Sequence, residues 1–378
     1  MQYWHFSETA YPYLPPAQEY ESIRVNLPNR LADPEITADL WDRYLREWQI
    51  ADEAGLNVMI NEHHQTATCM DPAAPLIASI LARTTSRARI LILGNPVANR
   101  KDPVRVAEEM TMIDLLSRGR LDVGFVRGVP YEISAVNSQP VLMSERMWEA
   151  HDLILKAWTT HDGPFNWEGR FFQQRHVNIW PRPYQQPRPP VWVTALTPPS
   201  AGRIAENEHV IASFLTGYEG TRKVFDAYRH RAAELGRPAP PDDRFAYAAL
   251  VYTGRTDEEG LAGAEKLMWY ITANKVPFHF VQPPGYTPYF VRAAGMRGQR
   301  STYDFSSLTL TDLINEGIVF AGGPDTVRAQ IETFYERVGG FGHLLLMGQA
   351  GFLDHSETVL GIETFASKVA PKLAGLAS

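Results

Sequence analysis

Eight short apolar runs alternate with stretches of helical period along this chain, which predicts an α/β protein of parallel strands, each followed by a helix, closed as a (β/α)8 barrel. One further observation favours a barrel over a doubly wound sheet. A doubly wound sheet usually carries a glycine-rich dinucleotide turn after its first strand, and none follows Tyr3–Phe6. No linker or short-period repeat cuts the 378 residues, so one domain spanning residues 1–378 is expected.

The elements follow in order. Tyr3–Phe6 reads as the first strand. Trp41, Tyr44, Leu45 and Trp48 then recur at helical spacing, with Thr37 or Asp39 available as a cap and Gly55 as the stop. Asn57–Asn61 is the second strand, and Pro72 opens a helix through Leu76, Ile80 and Leu81. Arg89–Gly94 is the third strand. Pro103 stands near the start of the next helix, where its missing N–H costs nothing, and Gly119 closes that helix. Leu121–Val126 is the fourth strand, and Ser144 can cap a helix running to Trp158. Phe165–Trp167 and Arg170–Phe172, joined at Glu168-Gly169, read as a hairpin outside the alternation. Val191–Ala195, His209–Phe214 and Phe245–Tyr252 are strands five to seven, with helices predicted over Pro198–Glu206 and Tyr218–Leu235 and a cap at Thr256 or Asp257. The stretch from about 276 to 310 has little period and reads as a late insertion. Pro324 opens another helix, His343–Met347 is strand eight, and Val359, Ile362, Ala366, Val369 and Leu373 mark a final amphipathic helix.

Composition limits the function classes. The chain is 44% apolar and 21% charged, enough for a core that needs neither disulfides nor metal to fold. Its net charge of −7 and lack of a basic block give nucleic acid no electrostatic footprint. The single Cys69 excludes an internal disulfide and a cysteine-based zinc cluster, and suits a reducing cytoplasm. The first residues lack the pattern of a signal peptide, and no apolar run reaches the ~20 residues of a membrane span.

Chemistry-bearing residues collect at the C-terminal ends of the predicted strands, the rim on which barrels of this class carry their active sites. Glu62-His63-His64 follows strand two. It can be read as a metal site, although adjacent strand residues face opposite ways. It can be a structural histidine bonded to Glu62, or a proton donor beside a bound cofactor, since imidazole changes charge near neutral pH. Gly94-Asn95-Pro96 follows strand three; the glycine permits close approach and the amide can meet an amide edge, or the tripeptide is an ordinary loop. Arg127 ends strand four and suits a phosphate or carboxylate, or a salt bridge. Leu196, Thr197 and Ser200 lie in the turn after strand five, where a helix start and two hydroxyls could hold an anion, or Thr197 could simply cap. Pro198 and Pro199 remove donors from that turn. Arg127 and this turn sit on adjacent strands at one rim, which favours a single phosphate pocket.

These residues carry a resemblance to the bacterial luciferase-like family of flavin-dependent monooxygenases. It covers nearly the whole chain: Ala51–Leu56 leading to Glu62-His63-His64, Asp102–Glu109 with Leu115–Leu121, Gly124–Gly128, Trp180-Pro181-Arg182-Pro183, Pro190–Val193 and Ala321–Val327, in order and at the right spacing. The resemblance implies a TIM barrel binding FMN at the C-terminal rim. It implies His63 as the group assisting oxygen transfer, with Glu62 or His64 orienting it; Gly94 and Asn95 against the isoalloxazine; and Arg127 on the phosphate with Leu196, Thr197 and Ser200 around it. Reduced FMN and O2 would oxygenate a small organic substrate through a flavin C4a-hydroperoxide. Val126 stands where luciferase itself has a cysteine, so no thiol contact to flavin is expected. Water must be kept from such a site, and the extended first loop, Tyr11–Arg30, and the late insertion are the expected covers, with Tyr, Pro and Leu residues of the loop facing substrate. The pattern leaves no room for a nicotinamide domain, so a separate flavin reductase is the expected partner, and family members often pair as homodimers. The alternatives are F420-dependent hydride transfer on the same fold, a non-catalytic flavin-binding paralogue, and a metal-dependent hydrolase.

Overall fold

The computed structural model of the chain describes residues 1–16, 19–272, 276–286, 305 and 308–376. Its first half runs β1 (Gln2–Ser7), α1 (Pro34–Glu53), β2 (Asn57–Ile60), α2 (Ala74–Thr84), β3 (Ile90–Pro96), α3 (Pro103–Leu116), β4 (Leu121–Val126) and α4 (Met143–Thr159). An antiparallel hairpin follows, β5 (Phe165–Glu168) with β6 (Gln173–Val177). Then come β7 (Val191–Thr194), α5 (Ala201–Glu206), β8 (Val210–Phe214), α6 (Gly217–Glu234), β9 (Phe245–Thr253), α7 (Asp257–Leu267) and two short turns, α8 (Trp269–Thr272) and α9 (Phe278–Val281). The chain closes with α10 (Leu310–Asn315), β10 (Val319–Gly322), α11 (Pro324–Val338), β11 (His343–Gln349) and α12 (His355–Thr364).

Strands β1, β2, β3, β4, β7, β8, β9 and β11 pair in parallel in that order, and β11 returns to β1, where Gln2 lies opposite His343. This is the expected closed (β/α)8 barrel, a TIM barrel, and its strands are the predicted ones. One strand escaped the sequence reading. β10 lies along the upper half of β9, with Val319 opposite Leu250, above the point where β8 pairs with the lower half. Its apolar run, Ile318-Val319-Phe320, is short and sits directly before the helix-opening Gly323-Pro324. The strand follows the stretch of about 276–310 expected as a late insertion, of which residues 287–304 and 306–307 lie outside the described residues.

Alternation along each strand builds two cores. Phe6, Met59, Leu91, Leu93, Trp192, Ala248, Leu345 and Met347 fill the barrel, while Val58, Ile60, Ile90, Ile92, Val123, Phe125, Tyr247 and Leu344 pack under the helices. The floor, at the N-terminal ends of the strands, is plugged by Trp4, Trp192 and His343, with Trp4 edge-on to Trp192 at 5.3 Å. Trp4 Nε1 donates to His343 Nδ1 at 3.3 Å, and His343 Nε2 donates to the Asp243 carbonyl at 3.1 Å. Trp192 Nε1 donates to Asp122, whose other oxygen accepts from Arg89 at 2.6 Å.

Three helix starts differ from expectation, the first of them for a capping reason. α1 begins at Pro34, because the Asp33 side chain accepts from the N–H groups of Glu35 and Ile36 before Thr37 or Asp39 is reached. α2 begins at Ala74 rather than Pro72, with Pro75 in its first turn. Ser144 lies inside α4, whose preceding residue Leu142 has a left-handed backbone.

Candidate active site

The loops after β2, β3, β4 and β7 leave the C-terminal rim side by side. Asn61 opens the first: its amide donates to Glu8 at 2.9 Å, and the buried Cys69 thiol donates to Asn61 Oδ1 at 3.5 Å. Glu62 is buried and fully occupied. Arg100 donates to its two oxygens at 2.6 and 2.7 Å, and His64 Nε2 donates to it at 3.0 Å. Beside this group Asp71 has an oxygen without a partner; burial, reinforced by Glu62, pushes its carboxyl up to about 7.

His63 points elsewhere. Its Nδ1 lies 2.6 Å from Glu132, which follows β4 in the 3-10 turn Pro130–Glu132, and Arg24 Nη2 lies 3.1 Å from both ring nitrogens. With Nδ1–H donated to Glu132, Nε2 keeps the lone pair that faces Arg24. Burial by itself would raise the Glu132 carboxyl, but the bond to His63 and the field of Arg24 hold it below the usual carboxylate range. The expectation that Glu62 or His64 orients His63 is corrected here: Glu62 is already spent on Arg100 and His64, and Glu132 takes the role. Among the described residues no three His, Cys, Asp or Glu side chains converge as a metal site.

Arg24, like Glu132, is a residue that sequence reasoning missed. It comes from the extended first loop and is 2% exposed. It donates to Thr68 and, at 2.7 Å, to the Tyr131 hydroxyl, and its guanidinium lies over the Tyr131 ring with Cζ 4.9 Å from the centroid. Burial opposes its charge, but Tyr131, Tyr270, Glu132 and Glu8 outweigh burial and raise its pKa. The loop's expected apolar residues do something different. Tyr11 is buried with the helix-side core and its hydroxyl accepts from the Asp33 N–H, so Arg24 and Val25 are what the loop turns toward the neighbouring cavity. The signal was present in Ser22-Ile23-Arg24-Val25, a lone cation flanked by apolar residues.

β3 reaches the rim through a bulge, its register shifting between Ile92 and Asn95, and the Leu93–Gly94 peptide is cis. A Cβ on Gly94 would lie 2.7 Å from Val126 Cγ1 and 3.0 Å from the Gly124 carbonyl oxygen, so only glycine closes this bulge. Asn95 is buried, and its amide donates to that same carbonyl at 3.2 Å while Oδ1 stays unpartnered. Arg127 is exposed; it bonds the Tyr286 hydroxyl and stacks on that ring with Cζ 4.6 Å from the centroid. Among the described residues it forms no ion pair. Leu196, Thr197 and Ser200 are exposed in the neighbouring loop, since β4 pairs with β7. The two hydroxyls lie 3.3 Å apart. The expected helix-start anion site is weaker than its sequence suggested. Pro198 and Pro199 have no N–H, and the N–H groups of Ser200 and Ala201 already donate to Thr197 and Pro198 in a 3-10 turn. That turn offers hydroxyls rather than amides.

A family profile for luciferase-like monooxygenases matches residues 23–340. The chain belongs to that family. Among its relatives, 2,5-diketocamphane 1,2-monooxygenase 2 of Pseudomonas putida is 25% identical over 92% of this chain and 96% of its own length. The oxygenase component of the flavin-dependent trigonelline monooxygenase of Acinetobacter baylyi is 33% identical over 45% of this chain, a match that spans about half of that relative, 48% of its length. Among solved structures, the oxygenating constituent of 3,6-diketocamphane monooxygenase from Pseudomonas putida, in complex with FMN, superposes with a TM-score of 0.75 at 20% identity over 98% of this chain and 99% of that one. An F420-dependent secondary alcohol dehydrogenase shares the fold at a TM-score of 0.67, 16% identity and 98% coverage of each chain. The luciferase-like assignment makes the chain an oxidoreductase, and the rim just described is where its barrel presents polar side chains.

Proposed function

We propose that this chain is the oxygenase of a two-component, FMN-dependent monooxygenase that takes reduced FMN from a separate flavin reductase and transfers one atom of O2 to a small organic substrate. The observation that carries the reading is His63, an imidazole fixed by Glu132 at the rim of a luciferase-like barrel. The surrounding residues suit a flavin. Gly94 leaves backbone rather than side chain at its point of the rim, Asn95 keeps a buried acceptor free, and Arg127 offers an exposed guanidinium to a phosphate beside the Thr197 and Ser200 hydroxyls and Leu196. When bound, reduced flavin supplies the electrons that activate dioxygen. His63 then holds or moves a proton at Nε2, while Glu132 fixes its tautomer and orientation. Phe280 and Tyr286 help to exclude water. A relative named as an oxygenase component supports the separate reductase.

We place the enzyme in the cytoplasm, where Cys69 stays a thiol, and as a homodimer. The neighbouring helices α2 and α3 expose Leu76, Ile80, Met112 and Leu116, an apolar surface suited to a second copy. No helix of the described residues is long and apolar enough to cross a membrane. The test is a titration of the purified chain with FMN and with reduced FMN, followed by oxygen uptake with a reductase present. Tight flavin binding with reductase-dependent uptake supports the reading. Anaerobic hydride exchange with F420 in place of FMN would replace it.

A further inference from the structure

We propose that the substrate carries a carboxylate and that Arg24 receives it. The inference rests on the oxygenase reading for the fate of the substrate, though not for its binding. Three observations carry it.

The first is the company Arg24 keeps. Other arginines near buried acids meet them directly: Arg43 with Glu47 at 2.7 Å, Arg89 with Asp122 at 2.6 Å, Arg100 with Glu62 at 2.6 Å. Arg120 and Arg146, which lack an acid, spread their donors over main-chain carbonyls. Arg24 is buried more deeply than any of these. Yet among the described residues its partners are a threonine hydroxyl, a tyrosine hydroxyl and an imidazole, with neither a carboxylate in contact nor a carbonyl. Glu132 and Glu8 act on it from beyond contact and are committed to His63 and Asn61. The surrounding groups keep the guanidinium charged, and its donors lack the hydrogen-bonded anion that every arginine paired with a buried acid has.

The second is its Nε, which has no partner. Arginine recognises a planar carboxylate through a fork of parallel N–H donors, so the geometry still has donor capacity to offer.

The third is the cavity that Arg24 borders, about 210 Å³ in volume. Tyr131, His64 and Ser134 join Arg24 on its polar wall, Val25 and Phe280 form an apolar one, and no Asp or Glu lines it among the described residues. A single-ring or short-chain acid seated there would have its carboxylate on Arg24, beside the His63 ring to which Arg24 is bonded, and its body against Val25 and Phe280.

The test is calorimetric titration of the full chain with benzoate, its neutral isostere benzamide, and benzenesulfonate. The titration is run without FMN and repeated with FMN added. Benzoate is expected to bind at least about tenfold more tightly than benzamide, and Arg24→Gln to abolish that margin while leaving benzamide unchanged. Arg24→Lys should keep part of it. The benzoate-to-benzamide ratio of the unaltered chain needs no variant to fold, and a benzoate-soaked crystal locates the contact independently. Equal binding of the two, absence of benzoate binding, or a preference for the sulfonate over benzoate would each overturn the carboxylate assignment. The FMN titration in the same samples separates the two readings. A chain that takes benzoate through Arg24 and not FMN loses only the flavin proposal; one that takes FMN and ignores benzoate loses only this one.

Discussion

His343 and His63 sit at opposite ends of one barrel and are held in opposite ways. On the floor, both His343 nitrogens have protein partners, and burial lowers its pKa to about 4, so it stays a neutral wedge between two tryptophans. Asp122, Arg89 and Trp192 beside it satisfy one another. At the mouth, His63 is partly accessible, with one nitrogen on a carboxylate and the other facing a guanidinium. Around it Arg24, Asp71, Asn95, Asn99 and Arg100 each keep a buried polar atom without a protein partner. One end is built to keep its protonation state and the other to exchange partners. Unsatisfied polar atoms, costly in a core, are what a binding site must keep in reserve.

That contrast can be broken from either end. The largest effect is expected on the floor. The folded chain leaves His343 unprotonated down to about pH 4, whereas the unfolded chain binds its proton near the ordinary histidine value of about 6.5. The stabilising contribution is therefore complete above pH 6.5 and is lost as pH falls toward 4, amounting to about 3 kcal/mol. Urea unfolding at several pH values should show His343→Gln losing this part of the slope; parallel slopes in the two proteins would remove the neutral wedge from the account. At the mouth, His63→Ala should lower product formation about 100-fold and release more peroxide while leaving FMN affinity intact. Glu132→Gln should have a smaller effect of the same kind with a displaced pH–rate profile, and unchanged coupling in both would end the role given to His63. Arg127→Ala should weaken FMN by about 2 kcal/mol without moving the melting temperature, read by flavin fluorescence. The smallest effect is Trp192→Phe, which deprives Asp122 of one donor. It should cost about 1 kcal/mol in denaturant unfolding and leave FMN affinity unchanged.

The barrel was legible because its signals are local. Val58-Met59-Ile60 and Leu344-Leu345-Leu346 are apolar runs of strand length that each follow a glycine by two or three residues, and residues such as Pro103 and Gly339 mark helix ends by their own conformational limits. β10 was not, since four residues abutting a helix start carry too little period to separate from it. At the site, His63 and Arg127 could be found because each sits at the end of a readable strand. Arg24 and Glu132 could not, because they lie in irregular loops and meet His63 across 39 and 69 residues of sequence, a proximity that only the closed barrel creates. The free N–H groups of the Thr197–Ala201 turn could not be counted for a related reason: whether a turn is α or 3-10 decides which amides are free, and sequence marks the prolines without marking that choice.

β10 also separates two design problems. The excursion that leaves the end of β9 through α7 comes back to β9 itself, as a neighbour of its upper half, before the chain proceeds to β11. Departure and return are thus moored to a single strand. Residues can be gained or lost between those moorings without shifting the stagger of any other barrel strand, so this lineage could retune what enters the mouth while inheriting an unaltered frame.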